Sequence, residues 1–148
     1  MILYTDGSAS PNPGPGGYAV INADTKQPVA LGNEKQSTNI RMEAQALIAA
    51  MILAGGQSCK IFTDSEFWIN VLTKWAPIWK KNNWTKKSGP IKNLELVQQA
   101  YELYESSQAT LEWVKAHEDN ELNNLADEWA NKARKGATIE SLKEMKNA

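Results

Sequence analysis

The 148-residue chain has one cysteine, Cys59, which excludes an internal disulfide framework and a cysteine zinc site. So few thiols fit a reducing cytoplasm, where the protein is expected to reside. There is one histidine, His117, so a multi-histidine zinc site is excluded too. No apolar run approaches the roughly 18 residues that a membrane span requires, and no membrane partner is expected. The opening residues MILYTDGSAS carry no basic segment ahead of their apolar ones and do not read as a secretion signal. An overall excess of positive charge is also missing: the net charge is -1, so binding of nucleic acid needs a local basic patch. Internal repeats and low-complexity tracts are absent.

One stretch supplies such a patch. Lys74, Lys80, Lys81, Lys86, Lys87 and Lys92 fall within one arm of the chain, with no acid among them. Trp75, Trp79 and Trp84 are interleaved. Six lysines without an acid favour phosphate contact over an ordinary solvated face. For Trp79 and Trp84, packing of the arm is the stronger expectation.

Around this arm the pattern of elements is regular. Apolar runs at Ile2–Thr5, Tyr18–Ile21 and Pro28–Glu34 read as three strands joined by turn-rich links, the first link being the Gly/Pro loop Ser8–Gly17. Short links imply an antiparallel meander. A helix follows over about Ile40–Ala54, capped by Thr38 or Asn39 and ended by Gly55-Gly56. Lys60–Thr63 reads as a fourth strand and Glu66–Lys74 as a helix. A short helical piece starts at Pro77, and another helix covers about Ile91–Ser106. Ala109–Val114 is a fifth strand and Leu122–Lys135 a last helix. The order predicts an α/β fold: a five-stranded mixed sheet, three antiparallel strands and then two parallel ones, flanked by helices. Residues 1–135 form one domain, and 136–148 read as a loosely attached tail.

The acids fall in suggestive places. Leu3-Tyr4-Thr5-Asp6 and Ile61-Phe62-Thr63-Asp64 are both apolar strands ending in Thr-Asp. If they run parallel and adjacent, both aspartates emerge at the carboxyl edge of the sheet, where open α/β sheets place their sites. Either aspartate alone reads equally well as a turn or cap residue. Glu43 stands at the start of a helix whose neighbouring positions Leu47, Ala50 and Ala54, with the strip Met42, Ala46, Ala49 and Leu53, are apolar. A buried carboxylate there needs a partner or a metal; the other reading is an acid favoured by the helix dipole. Asp127, beside Asn123 and Asn131 on the last helix, reads on its own as a solvated helical acid. His117, just past the fifth strand, reads as an ordinary loop histidine or as a proton carrier, since imidazole titrates near working pH. Oxygen ligands gathered at one site suit Mg²⁺ or Mn²⁺. Two such ions about 4 Å apart activate water and stabilise the leaving oxygen of a phosphodiester.

Together these segments carry a resemblance. Asp6-Gly7-Ser8 with Asn12-Pro13-Gly14-Pro15-Gly16-Gly17-Tyr18, then Thr38-Asn39-Ile40-Arg41-Met42-Glu43, then Asp64-Ser65, then Trp113-Val114-Lys115-Ala116-His117 with Asn123 and Asp127, resemble type 1 ribonuclease H. The arm from Trp75 through Trp79, Lys80, Lys81 and Trp84 to Ile91-Lys92-Asn93 is similar to the basic protrusion of its bacterial members. The resemblance covers about residues 1–135. It implies a ribonuclease H-like fold and an endonuclease that cuts the RNA strand of RNA–DNA hybrids with two Mg²⁺ ions, Mn²⁺ substituting. By it, Asp6, Glu43, Asp64 and Asp127 hold the metals, and His117 assists proton transfer or product release. Gly7, Ser8, Asn12, Asn39 and Ser65 lie against the hybrid. Thr38 and Asn93 grip a DNA phosphate. Trp75 and Trp84 with Lys80, Lys81, Lys86 and Lys87 meet the DNA strand. A monomer is expected. The chain departs from the family pattern at Ile40, where bacterial members often carry an asparagine, and at Glu66, where a neutral amide is common. The His117 loop, Glu118-Asp119-Asn120-Glu121-Leu122, lacks the usual glycine and is short and acidic. Two other readings remain at this point: another nuclease of the same fold, and a non-catalytic hybrid-binding module.

Overall fold

A computed structural model describes residues 1–115 and 120–147, with side chains to residue 143. Its strands are β1 (Ile2–Ala9), β2 (Gly14–Asn22), β3 (Gln27–Ser37), β4 (Ser58–Thr63) and β5 (Gln108–Trp113). They form one sheet in the order β3-β2-β1-β4-β5. β1–β2 and β2–β3 pair antiparallel, whereas β1–β4 and β4–β5 pair parallel. The helices are α1 (Asn39–Ala54), α2 (Glu66–Asn70), α3 (Ala76–Lys81), α4 (Leu94–Ser106), α5 (Glu121–Arg134) and α6 (Ile139–Asn147). The expected mixed sheet is the one observed.

Alternation along β2 shows how the two faces are filled. Val20 joins the larger core with Leu3, Leu47, Met51, Ile61, Trp68 and Val97, against α1 and α4. Ala19 and Ile21 point the other way, onto Ala126 and Ala130 of α5. A sheet buried on both faces needs apolar residues at successive positions, which is why β2 reads as a continuous run.

Three differences from the sequence expectation have physical causes. First, β1 runs on through Asp6-Gly7, which pairs with Ala19 and Tyr18 instead of turning. Gly7 serves close approach: a Cβ on it would lie 2.3 Å from the Met42 carbonyl carbon and oxygen. Gly17 does the same for α5, where a Cβ would lie 2.4 Å from Ala130 O and Arg134 N. Both glycines therefore let a helix backbone lie directly on a strand. Second, the helix after β4 continues past Lys74. Residues Val71–Trp75 form a π-helical turn in which Ala76 N–H reaches back to Val71 O, and α3 follows with Pro77 in its first turn. Proline has no N–H to donate and is tolerated there. Third, the expected tail contains α6, started by a reciprocal pair: Thr138 N–H donates to Ser141 Oγ and Ser141 N–H to Thr138 Oγ1, both at 3.0 Å. At the far end of α1, Leu53 of the second apolar strip is 43% exposed, whereas Ala54 at the end of the first is buried.

No helix among the described residues is long and apolar enough to cross a membrane.

Candidate active site

β1 and β4 run in register, with Tyr4 opposite Phe62, so Asp6 and Asp64 follow two residues beyond that pair on neighbouring strands. Thr5 Oγ1 donates to Phe62 O at 2.9 Å and ties the strands together just before the aspartates. α1 lies on β1 at Gly7, and this contact delivers Glu43: its Oε1 accepts from Gly7 N–H at 3.1 Å and its Oε2 accepts from Thr63 Oγ1 at 3.4 Å. Ligand oxygens of Asp6, Glu43 and Asp64 all lie within 4.8 Å of one another. Asp127 on α5 reaches the same place and shares a hydrogen bond with Asp6. A cavity of about 230 Å³ is lined by all four acids together with Gly7, Ser8, Asn39, Asn123 and Asn124.

Crowding of this kind is electrostatically costly. Burial pushes the Asp6 carboxyl well above the usual carboxylate range, and the nearby charges of Glu43 and Asp64 push it further. Burial, with the charge of Asp64, raises Glu43 to about 8, against hydrogen bonds from Asp6 and Gly7 that favour its ionised form. Asp6 is only 4% exposed. A cation among these oxygens would offset the charge that pushes the carboxyls up, and the donor set, carboxylate oxygens alone, is the kind that hard divalent ions prefer.

Beside the acids lies a layer of amides with a consistent orientation. Asn39 Oδ1 accepts from Ala9 N–H at 2.7 Å, and Asn12 Oδ1 accepts from Asn39 N–H at 3.1 Å. Thr38 caps α1, its Oγ1 accepting from Arg41 N–H at 3.1 Å. Asn93 Oδ1 accepts from Arg41 Nη1 at 3.0 Å. In each case the acceptor is engaged within the protein, and among the described residues no partner takes the donor. Ser65 caps α2, its Oγ accepting from Trp68 N–H at 3.2 Å. Ser8 Oγ and Asn123 Oδ1 are buried without a described partner. His117, with Glu118 and Asp119 of its loop, lies outside the described residues, while Asn120 of that loop caps α5, its Oδ1 accepting from Asn123 N–H at 2.9 Å.

The arm divides into packed and open members. Trp84 packs edge-on against Tyr101, with centroids 6.3 Å apart, and Trp79 also lies against the main core. Trp75 is 39% exposed, braced by Phe67 at 6.0 Å and Trp79 at 6.3 Å. Lys80 pairs with Glu105 at 2.8 Å, and Lys86 sits 5.8 Å over the Trp79 ring. Lys81 and Lys87 are exposed with no described ion pair.

An RNase H family model matches residues 1–135. The chain belongs to the RNase H family. Family membership brings the enzyme class, a hydrolytic ribonuclease. A ribonuclease H of Rickettsia bellii is 39% identical over 146 residues, covering 97% of this chain and 94% of that one. Another, from Dichelobacter nodosus, is 40% identical over 148 residues, covering 97% and 95%. Among solved structures, LC9-RNase H1 superposes with a TM-score of 0.78 at 27% identity, covering 93% of this chain and 72% of that one. The RNase H1 of the archaeon Halobacterium salinarum does so with 0.61 at 26%, covering 92% and 98%.

The sequence reading missed residues that this RNase H gathers at the site. Asn124 lines the acidic cavity, three residues before Asp127, a helical spacing that places both on one face. Arg41 was quoted within a motif and given no task.

Proposed function

We propose that this RNase H is an endonuclease that hydrolyses the RNA strand of RNA–DNA hybrids, leaving 3′-hydroxyl and 5′-phosphate ends, with two Mg²⁺ ions for which Mn²⁺ substitutes. The observation that carries the reading is the convergence of Asp6, Glu43, Asp64 and Asp127 on one cavity directly beside the amide layer. Those four carboxylates would hold the metal. Bound divalent cations supply a lowered water pKa and stabilisation of charge on the attacking and leaving oxygens.

The remaining work falls to the chain itself. Asn12 and Asn39, with their carbonyls tied inward, present amide hydrogens to minor-groove acceptors and the 2′-hydroxyl, the group that distinguishes RNA from DNA. Gly7 and Ser8 let the backbone approach the scissile strand. Thr38 and Asn93 donate to a phosphate of the DNA strand, and Trp75 offers an exposed ring to its sugars. Lys81 and Lys87 hold the backbone through charge, which positions the duplex without reading its sequence. His117 carries a proton away from the cleaved strand. The protein acts as a monomer.

The test is a cleavage assay on a hybrid, a DNA duplex and an RNA duplex across a Mg²⁺ and Mn²⁺ titration. Cutting of RNA in the hybrid alone, lost on Asp6→Asn while hybrid binding persists, is the expected result. Cutting of DNA, or binding without cutting at any metal concentration, refutes the proposal.

A further inference from the structure

Arg41 lies between the two residues assigned above to a DNA phosphate, and two of its hydrogen bonds go to their acceptor atoms. Its backbone N–H donates to Thr38 Oγ1 at 3.1 Å. Its Nη1 donates to Asn93 Oδ1 at 3.0 Å, across 52 residues of sequence. Guanidinium can only donate, so the Asn93 carbonyl must face Arg41 and the planar amide must turn its NH₂ to the opposite side. That NH₂ has no partner among the described residues and is not among their buried orphans. The Thr38 hydroxyl, accepting from Arg41, likewise keeps its proton for another group.

Two further observations say that this orientation is imposed. Asn93 occupies the N-cap of α4, where an asparagine normally accepts from its own helix, yet it makes no side-chain cap bond. Its backbone sits in the left-handed region, at φ 55°, which asparagine tolerates and which is not the extended conformation of an ordinary capping residue. The charge of Arg41, meanwhile, is already met: Glu95 Oε1 accepts from the same Nη1 at 2.8 Å. The guanidinium therefore brings direction more than net positive charge.

We propose that the Arg41 side chain is a positioning group for the DNA strand: it locks Asn93 with its NH₂ outward, beside a Thr38 hydroxyl that the helix backbone already orients, and the two form a two-donor receptor for a backbone phosphate that the guanidinium does not itself neutralise. The inference rests on the reading that Thr38 and Asn93 meet a phosphate, and the experiment separates the two.

KM and kcat for hybrid cleavage are measured for the wild type, Arg41→Gln, Asn93→Ala and the double variant, each at several salt concentrations, with thermal melting as a check on folding. Asn93→Ala is expected to raise KM about tenfold, the worth of a hydrogen bond to a charged group. Arg41→Gln raises KM by a similar factor, leaves kcat within about twofold and adds less than about twofold in the Asn93→Ala background. Its salt slope matches the wild type, since no phosphate charge pair is lost. Equal multiplication of KM in both backgrounds, or a slope reduced by about one, overturns the positioning role and makes Arg41 a direct phosphate contact. An unchanged KM in Asn93→Ala overturns the phosphate pocket itself. Should Arg41→Gln melt well below the wild type, Arg41→Met, which keeps the stem packing but cannot donate, is read in its place against the same outcomes.

Discussion

Replacing Glu43 with glutamine should stabilise the metal-free protein while abolishing its activity. The Glu43 carboxyl is raised from 4.5 to about 8 by burial and by the charge of Asp64. Below about pH 4.5 it is protonated in both folded and unfolded chains and costs nothing. As pH rises toward 8, the unfolded chain ionises freely while the folded one holds its proton, so stability is lost across that window. At pH 7 the gap between 4.5 and the ambient pH, at 1.36 kcal/mol per unit, sets a ceiling of about 3 kcal/mol. Water in the open cavity screens part of it, leaving about 1–3 kcal/mol. Glutamine is isosteric and neutral, can still accept from Gly7 N–H, and removes this cost. For a chain of this length the gain is a rise in Tm of about 3–10 °C. Thermal unfolding in EDTA at pH 5 and pH 8 reads the effect: the two proteins should converge at pH 5 and separate at pH 8. A Glu43→Gln protein that melts at or below the wild type at pH 8, or that gains equally at pH 5, refutes the electrostatic account.

Three other outcomes follow from the same geometry. Millimolar Mg²⁺ should raise the wild-type Tm by several degrees, more at pH 8 than at pH 5, because binding displaces protons from Asp6 and Glu43; Asp6→Asn should lose most of that shift in the same melting assay. Gly17→Ala drives a Cβ into the α5 backbone at Ala130 and Arg134, so denaturant unfolding should show a loss of about 2 kcal/mol or more, and residual activity should fall as Asp127 is displaced. Lys81→Ala and Lys87→Ala should each lower the slope of log Kd against log salt by about one, measured by hybrid binding without divalent metal, whereas Lys80→Ala, whose lysine is already paired with Glu105, should change it less.

The fold was largely legible because strand and helix periods are local signals. The order of elements, the parallel return of β4 beside β1 and the Thr-Asp ends of both strands could all be read from runs of a few residues. What misled was Asp6-Gly7 and the glycines after it. Glycine signals a turn and also permits close helix packing, and only the position of α1 over Gly7 decides between them. The four acids were legible by position, yet the upward push on the Asp6 and Glu43 carboxyls arises from burial and from distances between segments far apart in sequence. The same holds for the arm: Trp75, Trp79 and Trp84 look alike in the sequence, but α4 covers Trp84 through Tyr101 and leaves Trp75 open. Arg41 was unreadable because its partner Asn93 belongs to a different helix.

With the carbonyl ends of Asn12 and Asn39 tied to the backbone, only N–H groups are left to face a duplex. Every base pair exposes an acceptor in the minor groove, so such a surface is content with any of the four letters. Guanine alone adds an amino group there, and two donors then confront each other. Cutting along a mixed-sequence hybrid should therefore be broad, with its weakest positions where that amino group meets an asparagine, and a map of cleavage sites with inosine replacing guanine would level them.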